Sequence, residues 1–251
     1  MESYIQWEDL TIYKPLKKED LKHSYKRFTD IIFHNLSHFG FKRYGRMLIK
    51  QSNELLHVIH LDTRGSWTGM SDRFNVEIAI TTIYDEDSFI HNRGLTGAKK
   101  IEQIIPGLRN FYRITQEYEL LADFLTRKII EFVLPYFDKY NSAAQILANP
   151  KDFDLRQITA LHQRNGNLFL FCELHNHCDE YALAILKERV EHHILSGADQ
   201  TNPIFTELKT LFELVKQKNW LAVTNALNKK QVIVLKKLRL KALPNKASTP
   251  D

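Results

Sequence analysis

The spacing of apolar residues along this chain changes period several times, and the changes mark out its elements. From about Lys17 to Phe39, Leu21, Tyr25, Phe28, Ile32, Leu36 and Phe39 recur every three or four positions. That spacing lines one face of a helix. Gly40 supplies a left-handed cap, and Phe41 can fold back onto the last turn. The period then falls to two. "RMLIKQ" (46–51) is a short strand, "SNE" a turn and "LLHVIHLD" (55–62) a second strand. In "RFNVEIAIT" (73–81), Phe74, Val76, Ile78 and Ile80 alternate with Arg73, Asn75, Glu77 and Ala79, the pattern of a half-buried strand. Short connections make an antiparallel meander the simplest topology.

A helical period returns at 116–140, carried by Leu120, Leu121, Phe124, Ile129, Phe132 and Val133, with Pro135 ending or kinking the helix. Between these regions "DEDSFIHNRGLTG" reads as a loop, and 98–105 as a short helix before Pro106. "NPKDFD" (149–154) is the best domain boundary. Beyond it the pattern is helical throughout, at 155–161, 168–174 and after Asp179, a candidate cap. Asn202-Pro203 is a strong helix start. The stretch "QVIVLKKLRLKAL" (231–243) mixes helical and alternating features and is read as helix. The fold class expected is α+β: a small antiparallel sheet covered by long helices over 1–150, followed by an all-helical region with a basic tail over 151–251.

Charge narrows the functional reading. The formal net charge is +5, yet the segment 226–251 holds seven basic residues against Asp251 alone. The rest of the chain is therefore slightly acidic, and any attraction to nucleic acid rests on the tail. No apolar run approaches the roughly 20 residues of a bilayer span. The opening "MESYIQWEDL" is too acidic for a signal peptide. Two cysteines in 251 residues make no disulfide scaffold. A cytoplasmic location without membrane association is expected.

The stretch "LSHFGFKRYGRMLIKQSNELLHVIHLD", followed by "RFNVEIAIT", resembles the bacterial family called domain of unknown function 4304. Its members have a leading helix, a Gly-Phe-basic signature, then three strands. "IIEFVLPYFDKYNSAAQIL" (129–147) resembles that family's closing helix with its Leu-Pro step. The resemblance spans about Leu21 to Asn149 and departs from the family at Glu77-Ile78-Ala79. It implies the fold of the first part and carries no catalytic residues across.

Candidate chemistry is sparse. "CELHNHC" places Cys172, His175, His177 and Cys178 within seven positions. These are four zinc-type ligands, but structural zinc sites use two short pairs about a dozen residues apart. A buried cysteine at a helix end is the simpler reading. His57 and His60, three apart on one strand, point to opposite faces. The "DED" of 85–87 lacks calcium-loop spacing and reads as a solvated acidic loop. Trp67 and Met70, on a Gly-containing loop, and Arg73 just after it are the best recognition residues; with His57 and His60 they form the candidate binding set. The basic tail offers Lys229, Lys230, Lys236, Lys237, Arg239 and Lys241. There is no phosphate loop, nucleophile elbow or His-Glu-x-x-His motif.

The expected function is non-catalytic binding or protein interaction, with an unknown protein as partner and no cofactor. The alternatives are a nucleic-acid or acidic-surface binder acting through the tail, and a metal-dependent hydrolase using the Cys/His cluster.

Overall fold

The structure, a computed structural model, describes residues 16–62, 73–90, 95, 98–109, 111–153, 166–197, 199 and 201–241. The amphipathic stripe at the start becomes helix α1 (Lys18–Ser37), which buries Leu21, Tyr25, Phe28, Ile32 and Leu36. Strands β1 (Lys42–Tyr44), β2 (Met47–Ser52), β3 (Leu55–Asp62) and β4 (Arg73–Thr82) follow. Two short strands, β5 (Lys99–Lys100) and β6 (Tyr112–Arg113), both pair with β4. The sheet is antiparallel in the order β1-β2-β3-β4-β5, with β6 also on β4. The fold is α+β, as expected.

Several expected elements differ in detail. The segment read as a loop contains the one-turn helix α2 (Glu86–Phe89), capped by the Asp85 side chain. The short helix expected at 98–105 is instead β5 and a 3-10 turn, Ile101–Gln103. A helix of two turns gains few hydrogen bonds, so pairing with β4 prevails. The long helix over 116–140 is α3 (Tyr118–Lys128) and α4 (Leu134–Lys139), joined by a π-helical turn, Ile129–Val133. That wide turn lies just before Pro135, which cannot donate to the carbonyl one turn back.

The chain forms two compact units that interleave along the sequence. The first takes its described residues from Met1–Lys50, His57–Ala79 and Ala98–Lys139, the second from Gln51–Leu56, Ile80–Gly97 and Tyr140–Asp251. Residues before 150 are tied to the second unit by specific contacts. The Tyr140 hydroxyl donates to Asp152, its ring sits edge-on to Phe153 at 4.9 Å, and the Asn53 side chain donates to the Asn141 carbonyl at 3.1 Å.

In the first unit α1 packs along α3. Phe28 meets Phe74 of β4 at 4.9 Å, and Phe74 meets Tyr112 of β6 at 5.7 Å. The Tyr25 hydroxyl donates to the Leu61 carbonyl at 3.0 Å. The second unit is a helical stack of α5 (Ala143–Ala148), α6 (Gly166–His175), α7 (Glu180–Leu195), α8 (Pro203–Lys216) and α9 (Trp220–Leu238). Neighbours in sequence pack on one another from α5 to α9, and α9 also touches α2 and α6. Asn202 caps α8 by accepting from Ile204 N at 2.9 Å, with Pro203 at the first helical position. The tail read as helix is helical to Leu238. The helical segment expected at 155–161 lies outside the described residues.

Three of these helices end in Schellman motifs built on residues other than glycine. His177, Lys218 and Arg239 take φ of 56°, 54° and 55° after α6, α8 and α9. In each case the next residue donates back across the turn: Cys178 N to Glu173 O at 2.9 Å, Asn219 N to Leu214 O at 2.9 Å, and Leu240 N to Leu235 O at 3.0 Å. A Cβ at left-handed φ carries a steric cost that glycine avoids. Lys218→Gly is therefore expected to stabilise the protein by about 0.5–1 kcal/mol. Its ion pair to Asp179 is largely exposed and contributes little. A urea titration should show a higher midpoint with an unchanged slope.

Candidate functional site

A broad concavity lies in the first unit, along the polar face of α1. The apolar stripe of α1 faces inward, so Lys22, His23 and Lys26 are left exposed on its other side. The β1–β2 hairpin supplies the facing wall. Tyr44 pairs with Met47, leaving Gly45 and Arg46 as a two-residue loop. Gly45 has φ 59° with nothing near an added Cβ. The turn thus needs glycine for its backbone angle rather than for space, as a II′ hairpin does. Arg43 and Arg46 flank that glycine and line the groove, which encloses about 460 Å³.

The groove carries more basic than acidic side chains. Lys22, Lys26, Arg43 and Arg46 line it together with Glu19, and Asp30 pairs with Arg43. Arg43 is held in place: Nε donates to Gly45 O at 3.1 Å, Nη2 to Thr29 Oγ1 at 3.1 Å, and Nη1 to Asp30. Lys22 and Lys26 form no ion pair with any described residue. The arrangement offers one pre-oriented guanidinium and two point charges one helical turn apart, which suits an anion.

The second unit holds a different polar centre. Lys230 Nζ lies 2.5 Å from Glu86 Oε2 and 2.6 Å from Glu207 Oε1, joining α9 to α2 and α8. Asp85, read as part of a solvated acidic loop, is 1% exposed. It accepts from Thr81 Oγ1 and Ser88 Oγ at 2.7 Å each. Its charge is met by hydroxyls, a backbone N–H and the Asn167 amide, which makes burial tolerable. Arg189 lines the same small cavity of about 70 Å³. Burial pulls its guanidinium below the usual range, while Asp87 and Asp85 act in the opposite sense.

The "CELHNHC" ligands do not converge. Cys172 is fully buried in α6, while Cys178 is exposed. The Schellman turn at Asn176–Cys178 explains why, since it carries the chain away from the helix axis. Asn176 caps the helix, its Nδ2 donating to Cys172 O at 2.8 Å. His177 stacks on Trp220 at 5.3 Å and its Nε2 meets Thr224 Oγ1 at 3.2 Å. His175 Nδ1 lies 2.8 Å from the Tyr84 hydroxyl, with Nε2 3.7 Å from Glu54 Oε2. Burial first, then Glu54 and Cys172, push the Tyr84 hydroxyl well above its usual range, so it remains a donor. Burial, then Glu54 and Glu173, likewise hold the Cys172 thiol high. Among the described residues no three His, Cys, Asp or Glu side chains could hold a metal ion.

Asp179, the expected cap of α7, makes no side-chain cap bond. Glu173 takes that role from α6, accepting from Tyr181 N and Ala182 N at 2.7 Å each. Burial raises its carboxyl above the usual range, and the two N–H donors offset this only in part.

The expected binding set is dispersed. His57 is buried and stacks on Phe137 at 4.5 Å. His60 faces Glu77, Nδ1 to Oε2 2.9 Å. Arg73 sits over the Phe111 ring at 4.9 Å. Trp67 and Met70 lie outside the described residues. Of the basic tail, Lys229, Lys236, Lys237, Arg239 and Lys241 are exposed, while Lys230 is withdrawn into its two ion pairs. Sequence reasoning passed over the groove. Its only linear signal is Lys22 and Lys26 at i,i+4, followed by basic residues around Gly45.

Compared with known proteins, the chain matches no family model, no curated protein and no solved structure. Among the described residues no helix is long and apolar enough to cross a membrane.

Two outcomes follow from the second unit. Lys230→Met leaves two carboxylates without their cation and should cost about 2 kcal/mol, below the figure for a fully buried pair because Glu207 is half exposed. Burial lowers the Lys230 pKa, but Glu207 and Glu86 outweigh it and hold the ammonium above its usual 10.5. Such a group stabilises fully below its unfolded pKa and loses that contribution as pH rises through its folded one. The deficit of the variant in urea titrations should therefore be steady near neutrality and narrow once pH climbs past about 10.5. Thiol titration with an aromatic disulfide should find Cys178 alone reactive in the native state. Cys172 should react only on unfolding, and Cys178→Ser should abolish the native signal.

Proposed function

We propose that this chain is a non-catalytic binding protein whose ligand is anionic and sits in the groove between α1 and the β1–β2 hairpin. One observation carries the reading: Lys22 and Lys26, which have no ion pair among the described residues, share one concavity with Arg43 and Arg46. That field attracts and retains negative charge. In support of a non-catalytic role, the polar networks of the second unit are built from mutually satisfied groups. Its buried thiol and phenol are held in their protonated forms, where neither is a nucleophile.

We also propose kinship with the domain of unknown function 4304 family over Leu21–Asn149. The order of helix, Gly-Phe-basic signature and three strands supports it. A second reading, acidic-surface binding through the tail, is supported by the five exposed cations on and after α9. Withdrawal of Lys230 and the lack of interleaved aromatics weigh against it.

Poly-glutamate, used as a soluble polyanion, should bind in a salt-sensitive manner and perturb the amides of 19–29 and 42–46. Lys22→Glu/Lys26→Glu should weaken it at least tenfold. Binding that survives this double variant but is lost in Lys236→Glu/Lys237→Glu would transfer the assignment to the tail. Absence of any polyanion binding would sink both readings.

A further inference from the structure

The groove has more specific chemistry than a positive patch. Its volume, about 460 Å³, falls within the roughly 300–1,000 Å³ of small-molecule sites. A bare inorganic anion would leave most of it empty. Lys22 and Lys26 have no ion pair among the described residues, so a single ligand carboxylate would leave one of them unmet. A phosphate monoester carries about −1.5 to −2 at neutral pH and three strong acceptor oxygens. Arg43 spends one N–H each on Gly45, Thr29 and Asp30. Of the five guanidinium donors, one N–H remains on each terminal nitrogen. That pair is presented by a side chain already locked in place, so little entropy is lost when it engages two oxygens of one anion. Lys22 and Lys26 then provide mobile ammonium groups for the remaining oxygen. Their exposed stems, one turn apart on α1, give an apolar surface for the body that carries the phosphate.

Resting on the anionic-ligand reading above, we propose that the group recognised is a phosphate monoester on a small organic body. Arg43 grips two phosphate oxygens, Lys22 and Lys26 neutralise the dianion, and the body lies along the lysine stems. Arg43 is a positioning group shared by fold and ligand. Lys22 and Lys26 serve the ligand alone, because neither has an ion pair in the described structure.

Calorimetric titration of the full chain with phenyl phosphate, inorganic phosphate, benzoate and trimesate tests this. Phenyl phosphate should bind at least tenfold more tightly than benzoate and more tightly than inorganic phosphate. Lys22→Gln/Lys26→Gln should lose at least tenfold for phenyl phosphate while melting at the wild-type temperature. If trimesate binds through Lys22 and Lys26 and phenyl phosphate does not, the phosphate assignment is overturned and the anionic groove stands. If no anion binds, both are overturned. Equal affinity for inorganic and phenyl phosphate would overturn the organic body. A phosphoserine peptide bound at least tenfold more tightly than phenyl phosphate would overturn the small-molecule assignment in favour of a protein ligand.

Discussion

The seating of Phe28 against Phe74 is the contact on which the first unit depends. Phe28 is fully buried, and its ring meets that of Phe74 at 4.9 Å. Aromatic pairs in this range are favourable beyond the area they bury. The contact fixes α1 on β4, and Tyr25 reinforces it by donating to Leu61 of β3. Because α1 is a rigid rod, fixing its inner face also fixes its outer one. Lys22 and Lys26 are thus held opposite Arg43 without any direct contact between them. The groove is a by-product of core packing: the lysines that line it are ones the core rejects.

The second unit relies on polar groups where the first relies on aromatic rings. α6 is buried almost all round, through Leu168, Phe169, Leu170, Phe171, Cys172 and Leu174. A helix so enclosed must have its ends satisfied internally. At its C-terminal end the Asn176 side chain and the turn at His177 do this work, and His175 closes that end against Tyr84. The histidines and cysteines that looked like a metal cluster are spent on terminating α6. Asp85 and Lys230 follow the same rule, each buried with partners that offset its desolvation.

Much of the fold was legible in the sequence because it depends on periodicity. The stripe of α1, the alternation of β4 and the Asn202-Pro203 start each follow from local rules, and the structure places them within a residue or two of expectation. What was misread depends on partners distant in sequence. Lys99 and Lys100 are a strand only because Ile78 and Glu77 lie opposite. Asp85 is buried because Asn167, far along the chain, joins the nearby Thr81 and Ser88 in meeting its carboxylate. Asp179 does not cap α7, since Glu173 approaches from the preceding helix.

The candidate site shows the same division. By itself the sequence determined the amphipathic face of α1, the basic residues around Gly45 and the absence of any short catalytic motif. All are properties of residues close together along the chain. Only the tertiary structure decided that Lys22 and Lys26 share a concavity with Arg43 and Arg46, and that Lys230 is withdrawn from the basic tail. It also decided that Cys172 and Cys178 face different surroundings. The physical reason is that charge acts through space. Which charges meet is set by how the apolar faces pack, and that packing is not written at any one position in the sequence.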